Sequence, residues 1–253
     1  MGVHNHDINS EVQLNTNYTM KKNYLKIIAV VLLCWMAVEA NAQMNRRWTV
    51  GAKGGWNWTN IDRSNLGRID ETYSPLGNSE YNFFAKFAFT DWLAIRADFG
   101  AITRSYRMDR NLHYLDPVYT KYSNDYLMLP LMADFSFGGK RLRGHALCGG
   151  FGAYWVNARM EGKTYWMTDY YVYFDDFKES REFNSEDQRF IAGAVGGLGL
   201  SYVFLSIPEM DMAINLDALY YYDLVSHHKG YAHLSDPRYL NTLSITLGLA
   251  FSF

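Results

Sequence analysis

Cysteine is nearly absent from this 253-residue chain, which holds only Cys34 and Cys148. Cys34 falls in an N-terminal leader, so the exported chain is expected to keep one thiol. One thiol cannot form an internal disulfide, a thiolate zinc site or a redox pair. Cys148 reads as a small apolar strand residue. Charge bias is lacking too. With 24 Lys and Arg against 26 Asp and Glu, the formal net charge is −2, and no nucleic-acid or polyanion partner is indicated. Past the leader there is no apolar run of the roughly 20 residues that a spanning helix needs. A mean hydropathy of −0.23 excludes a helical membrane bundle.

What the chain has in abundance is aromatic residues, at 17%, with 20 Tyr, 15 Phe and 7 Trp. Such a content suits a protein that needs aromatic belts at two membrane–water boundaries.

The leader occupies residues 20–43. It opens with Lys21, Lys22 and Lys26, continues through an apolar stretch from 27 to 38, and ends in the small-x-small run Ala40-Asn41-Ala42. This is the layout of a signal peptide cleaved after Ala42. Residues 1–19 precede a good start at Met20 and read as an upstream extension. The domain plan is therefore extension 1–19, signal peptide 20–42 and one exported domain, 43–253.

Within that domain apolar residues alternate with small or polar ones in about eight segments, the signature of strands with one greasy face. The closing stretch, LNTLSITLGLAFSF, is the clearest: Leu243, Ile245, Leu247, Leu249, Phe251 and Phe253 oppose Thr242, Ser244, Thr246, Gly248, Ala250 and Ser252. Connections alternate between long polar stretches (60–79, 108–124, 159–187, 224–239) and short turns. Pro130 interrupts the fourth segment and suggests a bulge there. The greasy parity carries aromatics near segment ends, among them Trp48, Trp58, Tyr81, Tyr220, Tyr222 and Phe253, with Tyr126 nearby.

A soluble sandwich would share the alternation, but it has no need of strictly alternating loop lengths or aromatic girdles. The pattern predicts an all-β fold: an eight-stranded antiparallel up-and-down transmembrane β-barrel with short periplasmic turns and long extracellular loops. Its place is the outer membrane of a Gram-negative bacterium, among outer-membrane lipid and lipopolysaccharide, as a monomer. The C-terminal Phe253 looks like the signal that the β-barrel assembly machinery reads.

The stretch DYLMLPLMADFSFGGKRLRGHALCGGFGAYWVNAR resembles the PorT-like family of outer-membrane β-barrel proteins of Bacteroidota. Tyr126, Leu127, Pro130 and Leu131 match its Tyr-Leu-x-x-Pro-Leu strand, and Gly149, Gly150 and Gly152 its Gly-rich strand. The likeness runs from about Trp48 to Phe253. It implies the barrel and its location, with a link to protein secretion in some members, and no chemistry.

An eight-stranded barrel has room inside only for its own side chains. Lys53, Lys86, Arg96, Asp98, Arg104, Asp134 and Asp217 share the inward parity, nearly balance in charge, and are expected to form a lumen ion network. A narrow channel is the rival. Tyr165, Trp166, Tyr170, Tyr171, Tyr173 and Phe174 crowd the longest loop, extending strands above the membrane or offering a binding surface for an unknown ligand or protein. His227, His228, His233, Ser235 and Asp236 read as a solvated loop. A metal site or a lipid hydrolase using His233 and Ser235 is the alternative there. The chain is not expected to be an enzyme or to need a cofactor or metal.

Overall fold

The computed structural model describes residues 47–63, 71–111, 118–168, 171–185, 187–227 and 238–253. The extension and the leader lie outside these residues. Nine strands are present among them: β1 (Trp48–Arg63), β2 (Glu71–Ala88), β3 (Leu93–Arg110), β4 (Val118–Gly138), β5 (Leu142–Met167), β6 (Val172–Ser180), β7 (Phe190–Ile207), β8 (Met210–Asp223) and β9 (Arg238–Ser252). All pair antiparallel. Eight of them close a ring, β1-β2-β3-β4-β5-β7-β8-β9, and β9 returns to β1 from Thr49↔Ser252 to Arg63↔Arg238. The ninth strand, β6, pairs only with the upper part of β5, from Arg159↔Ser180 to Met167↔Val172.

The ring's stagger follows from its register. Trp48 pairs with Phe87, then in turn Ile95, Ala133, Cys148, Gly196, Tyr220 and Leu243, and Leu243 pairs with Trp58. One circuit thus climbs ten residues along β1. For eight strands this stagger sets a tilt of about 40° to the barrel axis.

Closure leaves no unpaired edge in the ring, as spanning a bilayer requires. The greasy parity faces out. Phe83 is 70% exposed, Leu198 64% and Leu247 59%, values suited to lipid contact. Trp56, Trp58, Tyr81, Tyr154, Tyr220 and Tyr222 ring the wall towards the loop end, and Trp48, Phe89, Phe137, Tyr202 and Phe253 towards the turn end. Tyr126 does not join them. It lies inside the barrel at 1% exposure, because it shares its parity with Met128 and Asp134.

Two further sequence expectations are corrected. The polar stretches 60–79, 108–124 and 159–187 are largely strand, since the strands continue beyond the apolar belt. Their outer side carries polar residues, while Ile61, Tyr73 and Tyr122 pack in a cluster, so the alternation that marks a lipid-facing strand disappears. Pro130 causes no bulge. It pairs in register with Phe151, and the register to β3 is the same below it (Ala97↔Leu131) and above it (Gly100↔Met128). The β4–β5 bulge lies instead between Asp125 and Tyr126, where Val156 is the extra residue.

The Gly-rich strands β5 and β7 coil tightly. A Cβ on inward-facing Gly149 would stand 2.0 Å from the Leu131 carbonyl oxygen, and one on Gly197 2.1 Å from that of Ala218. Only glycine permits that approach between neighbouring strands.

The lumen has two unlike halves. On β9, β1 and β2 it is polar: Thr242, Ser244, Thr246, Asn57, Thr59, Glu80 and Asn82 are all buried. On β4, β5, β7 and β8 it is apolar, a cluster including Met128, Met132, Leu147, Phe151, Ile191, Val195 and Leu219. The interior is therefore not a purely ionic plug.

Candidate functional site

The sequence-selected charges lie inside the barrel, but in three separate groups. The first crosses the middle of the lumen. Lys53 Nζ on β1 stands 2.7 Å from Asp98 and 3.3 Å from Asp217, and Arg96 on β3 holds the same two carboxylates at 2.8 and 2.6 Å. Two cations and two anions from three strands thus form a closed square. The Arg96 guanidinium also lies 4.5 Å over the Phe84 ring.

The second group is nearer the turn end. Lys86 donates to Asp134 at 3.1 Å, and Asp134 also accepts from Ser136 and contacts His145 Nδ1, each at 3.0 Å. In the third group Arg104, with no exposed surface, donates to Asp223 at 2.8 Å. Its guanidinium sits within 6 Å of the Tyr126, Phe151 and Tyr221 rings. Asp223 meets His227 Nε2 at 2.7 Å, and His227 Nδ1 meets the Tyr126 hydroxyl at 3.1 Å. Buried charges are tolerated only when paired in this way.

Sequence reasoning missed Asp223, Glu80, His145 and His227 as lumen residues. Asp223 and Glu80 carry the inward parity of their strands, so the signal was present at segment ends. His227 was expected in a solvated loop, yet it is 8% exposed and hydrogen-bonded to Asp223. Residues 228–237, including His233, Ser235 and Asp236, lie outside the described residues. Among the described residues no three His, Cys, Asp or Glu side chains gather as a metal site.

Above these groups the connection from β6 to β7 folds across the barrel end. Arg181 N bonds the Ala158 carbonyl at 2.8 Å, Trp155 N the Arg189 carbonyl at 2.8 Å, and Gln188 N the His227 carbonyl at 3.1 Å. Phe183 packs edge-on against Trp155 at 5.0 Å. Asp187 accepts from Arg181 at 2.5 Å and from Asn184 N at 2.9 Å. This connection lies above the ion groups and is tied to β5 and to the residues that follow β8.

The expected binding residues lie on the β5–β6 hairpin. Trp166 and Tyr173 stack at 4.5 Å, and Tyr171 approaches Tyr173 at 6.3 Å. All three are exposed, at 53%, 45% and 68%. The bulge at Val156 flips the parity of β5, so Trp166 shares the face of buried Ala158 and of Met160. Tyr165 pairs with Phe174 on the opposite face, where Lys163 Nζ lies 4.9 Å from the Phe174 ring. Tyr170 lies outside the described residues. On the neighbouring strands Lys121 donates to Glu161 at 2.8 Å and holds that carboxyl below its usual range.

A closed ring with an apolar outer wall, a ten-residue stagger and paired charges inside is outer-membrane architecture. A family model described as outer membrane protein beta-barrel domain matches residues 41–227. The chain belongs to that family. As an outer-membrane β-barrel protein it resides in the outer membrane of a Gram-negative cell. No curated protein matches it in sequence. Among solved structures it is similar to the outer membrane protein OprG from Pseudomonas aeruginosa, at 10% identity and a TM-score of 0.45, covering 82% of this chain and 97% of that one. It is also similar to Ail, the attachment invasion locus protein of Yersinia pestis, at 12% identity and a TM-score of 0.38, covering 82% and 99%. The outer membrane protease OmpT from Escherichia coli is similar at 10% identity and a TM-score of 0.44, covering 83% and 97%. These neighbours differ in function and lend none to this chain.

Proposed function

We propose that this outer-membrane barrel is neither enzyme nor channel, and that it presents the β5–β6 hairpin to an extracellular partner. The observation that carries the reading is the hairpin itself. It continues β5 past the closed ring and exposes Trp166, Tyr171 and Tyr173 together. Rigid aromatic side chains of this kind anchor recognition at low entropic cost. The paired lumen charges support the sealed state, since a conducting path would have to break them. The leader directs export with cleavage after Ala42, and Phe253 is read by the assembly machinery. The barrel then sits as a monomer among outer-membrane lipid and lipopolysaccharide. Tyr126, Leu127, Pro130 and Leu131, with Gly149, Gly150 and Gly152, support membership of the PorT-like branch.

The test compares proteoliposomes carrying the unaltered protein with those carrying Trp166→Ala, Tyr171→Ala and Tyr173→Ala together. Both are applied to an array of purified extracellular proteins and surface polymers. The expected result is retention by the unaltered protein and its loss in the triple variant, with the heat-dependent gel shift of the folded barrel unchanged. Equal retention by both would overturn the reading.

A further inference from the structure

Beneath the hairpin lies a recess that the proposed function does not use. It is a cavity of about 30 Å³ among Tyr106, Tyr122, Asn124, Trp155, Arg181 and Asp187. Asn124 is 7% exposed and lines the recess, and its side-chain amide is not among the fully sealed unpartnered atoms, so what remains open of it faces the recess. A buried amide with an idle donor and acceptor costs free energy unless something fills the space beside it. Arg181 spends one side-chain N–H on Asp187 and keeps the others. The remaining wall is aromatic. Tyr106 and Tyr122 stack at 5.0 Å, and the Arg181 guanidinium lies 5.7 Å from the Trp155 ring.

We infer that this recess binds the edge of a sugar ring. A purely apolar ligand would leave the Asn124 amide stranded. A simple anion is disfavoured because Asp187 already neutralises Arg181. A sugar alternates C–H and O–H groups around one ring. Its C–H groups lie against aromatic carbon while neighbouring hydroxyls exchange hydrogen bonds with the amide and guanidinium. The volume, enough for about two water molecules, admits one CH–OH corner, so the ligand is a terminal unit whose remainder points out of the recess.

The test uses the full-length protein refolded in detergent micelles. It is titrated with glucose, galactose, mannose, rhamnose, N-acetylglucosamine and glucuronic acid, each as its methyl glycoside, and followed by saturation-transfer NMR. At least one is expected to bind saturably. Asn124→Ala is expected to weaken that binding about tenfold, the effect of losing a buried hydrogen bond. Asn124→Asp, which keeps the shape and removes the donor, serves as the second variant. Tyr171→Ala, on the hairpin, should leave sugar binding unchanged, so failure of the hairpin reading would not register here. Absence of saturable binding by all six, or equal binding by folded Asn124→Ala and Asn124→Asp, would show that the recess holds water only and overturn the inference.

Discussion

Arg104 and Asp223 meet at 2.8 Å inside the barrel, 119 residues apart in sequence, with neither side chain exposed. Asp223 also holds His227, whose carbonyl accepts from Gln188 of the segment that crosses the barrel end. One ion pair thus ties the lumen packing to the seal above it.

Breaking this pair from one side strands a buried charge. Arg104→Met is expected to cost about 3–5 kcal/mol of stability in urea titrations of the protein folded in lipid vesicles. The double variant Arg104→Met with Asp223→Leu removes both charges and should regain most of that loss. A double variant as unstable as the sum of its singles would show that the two charges act independently and would contradict the pairing.

The three ion groups should differ in sensitivity. Lys53 is buried and shared by two carboxylates, whereas the Lys86 side chain keeps 16% of its exposure and its partner Asp134 retains Ser136 and His145. Lys53→Met is therefore expected to destabilise more than Lys86→Met in the same titration. The reverse order would contradict the charge pairing described here.

The lipid-facing strands were legible in the sequence because lipid on one side and packed lumen on the other enforce strict alternation. Trp48, Leu247 and Phe253 revealed their side at once. Seven charged residues were placed inside by parity alone, and all lie there. Which of them pair was not legible, since Arg96 meets Asp217 across the barrel through a ten-residue stagger that no local pattern records. Met128 and Leu147 show why the apolar half of the lumen went unnoticed: Met128 was on the inward parity, yet the reading weighed only its charged companions. The strand extensions were hidden because polar residues on the outer face erase the period. Tyr119↔Lys163 and Thr120↔Gly162 are ordinary rungs in such a stretch.

Glu80 is fully buried, and its Oε2 has no hydrogen-bond partner, while Oε1 accepts from Asn82 at 3.1 Å. Glu80→Gln keeps the shape and adds an amide donor on the side where Ser244 lies. The expected outcome is a gain of about 1 kcal/mol, the low end of the cost of an unsatisfied buried group. A loss of that size would mean that the carboxylate is held by something the side chains alone do not supply.

Outside the membrane, Glu161 offers a titration with a defined sign. The Lys121 ammonium lowers its pKa, so the folded pair binds its proton less readily than the unfolded chain does. Its contribution is present above the ordinary carboxyl value of 4.5 and is lost as pH falls through the lowered one. Both side chains are well exposed, so the effect on stability is small and screened by salt. Side-chain NMR should find the Glu161 midpoint below 4.5, rising in Lys121→Ala. An unchanged midpoint in the variant would remove Lys121 as the cause.

The central claim is that the ring is closed and its interior filled by its own side chains. Conductance of the purified protein across a planar lipid bilayer tests it most directly. The account expects inserted protein, verified by its heat-dependent gel shift, to pass no steady current at neutral pH. A reproducible unitary conductance from that same folded protein would contradict it.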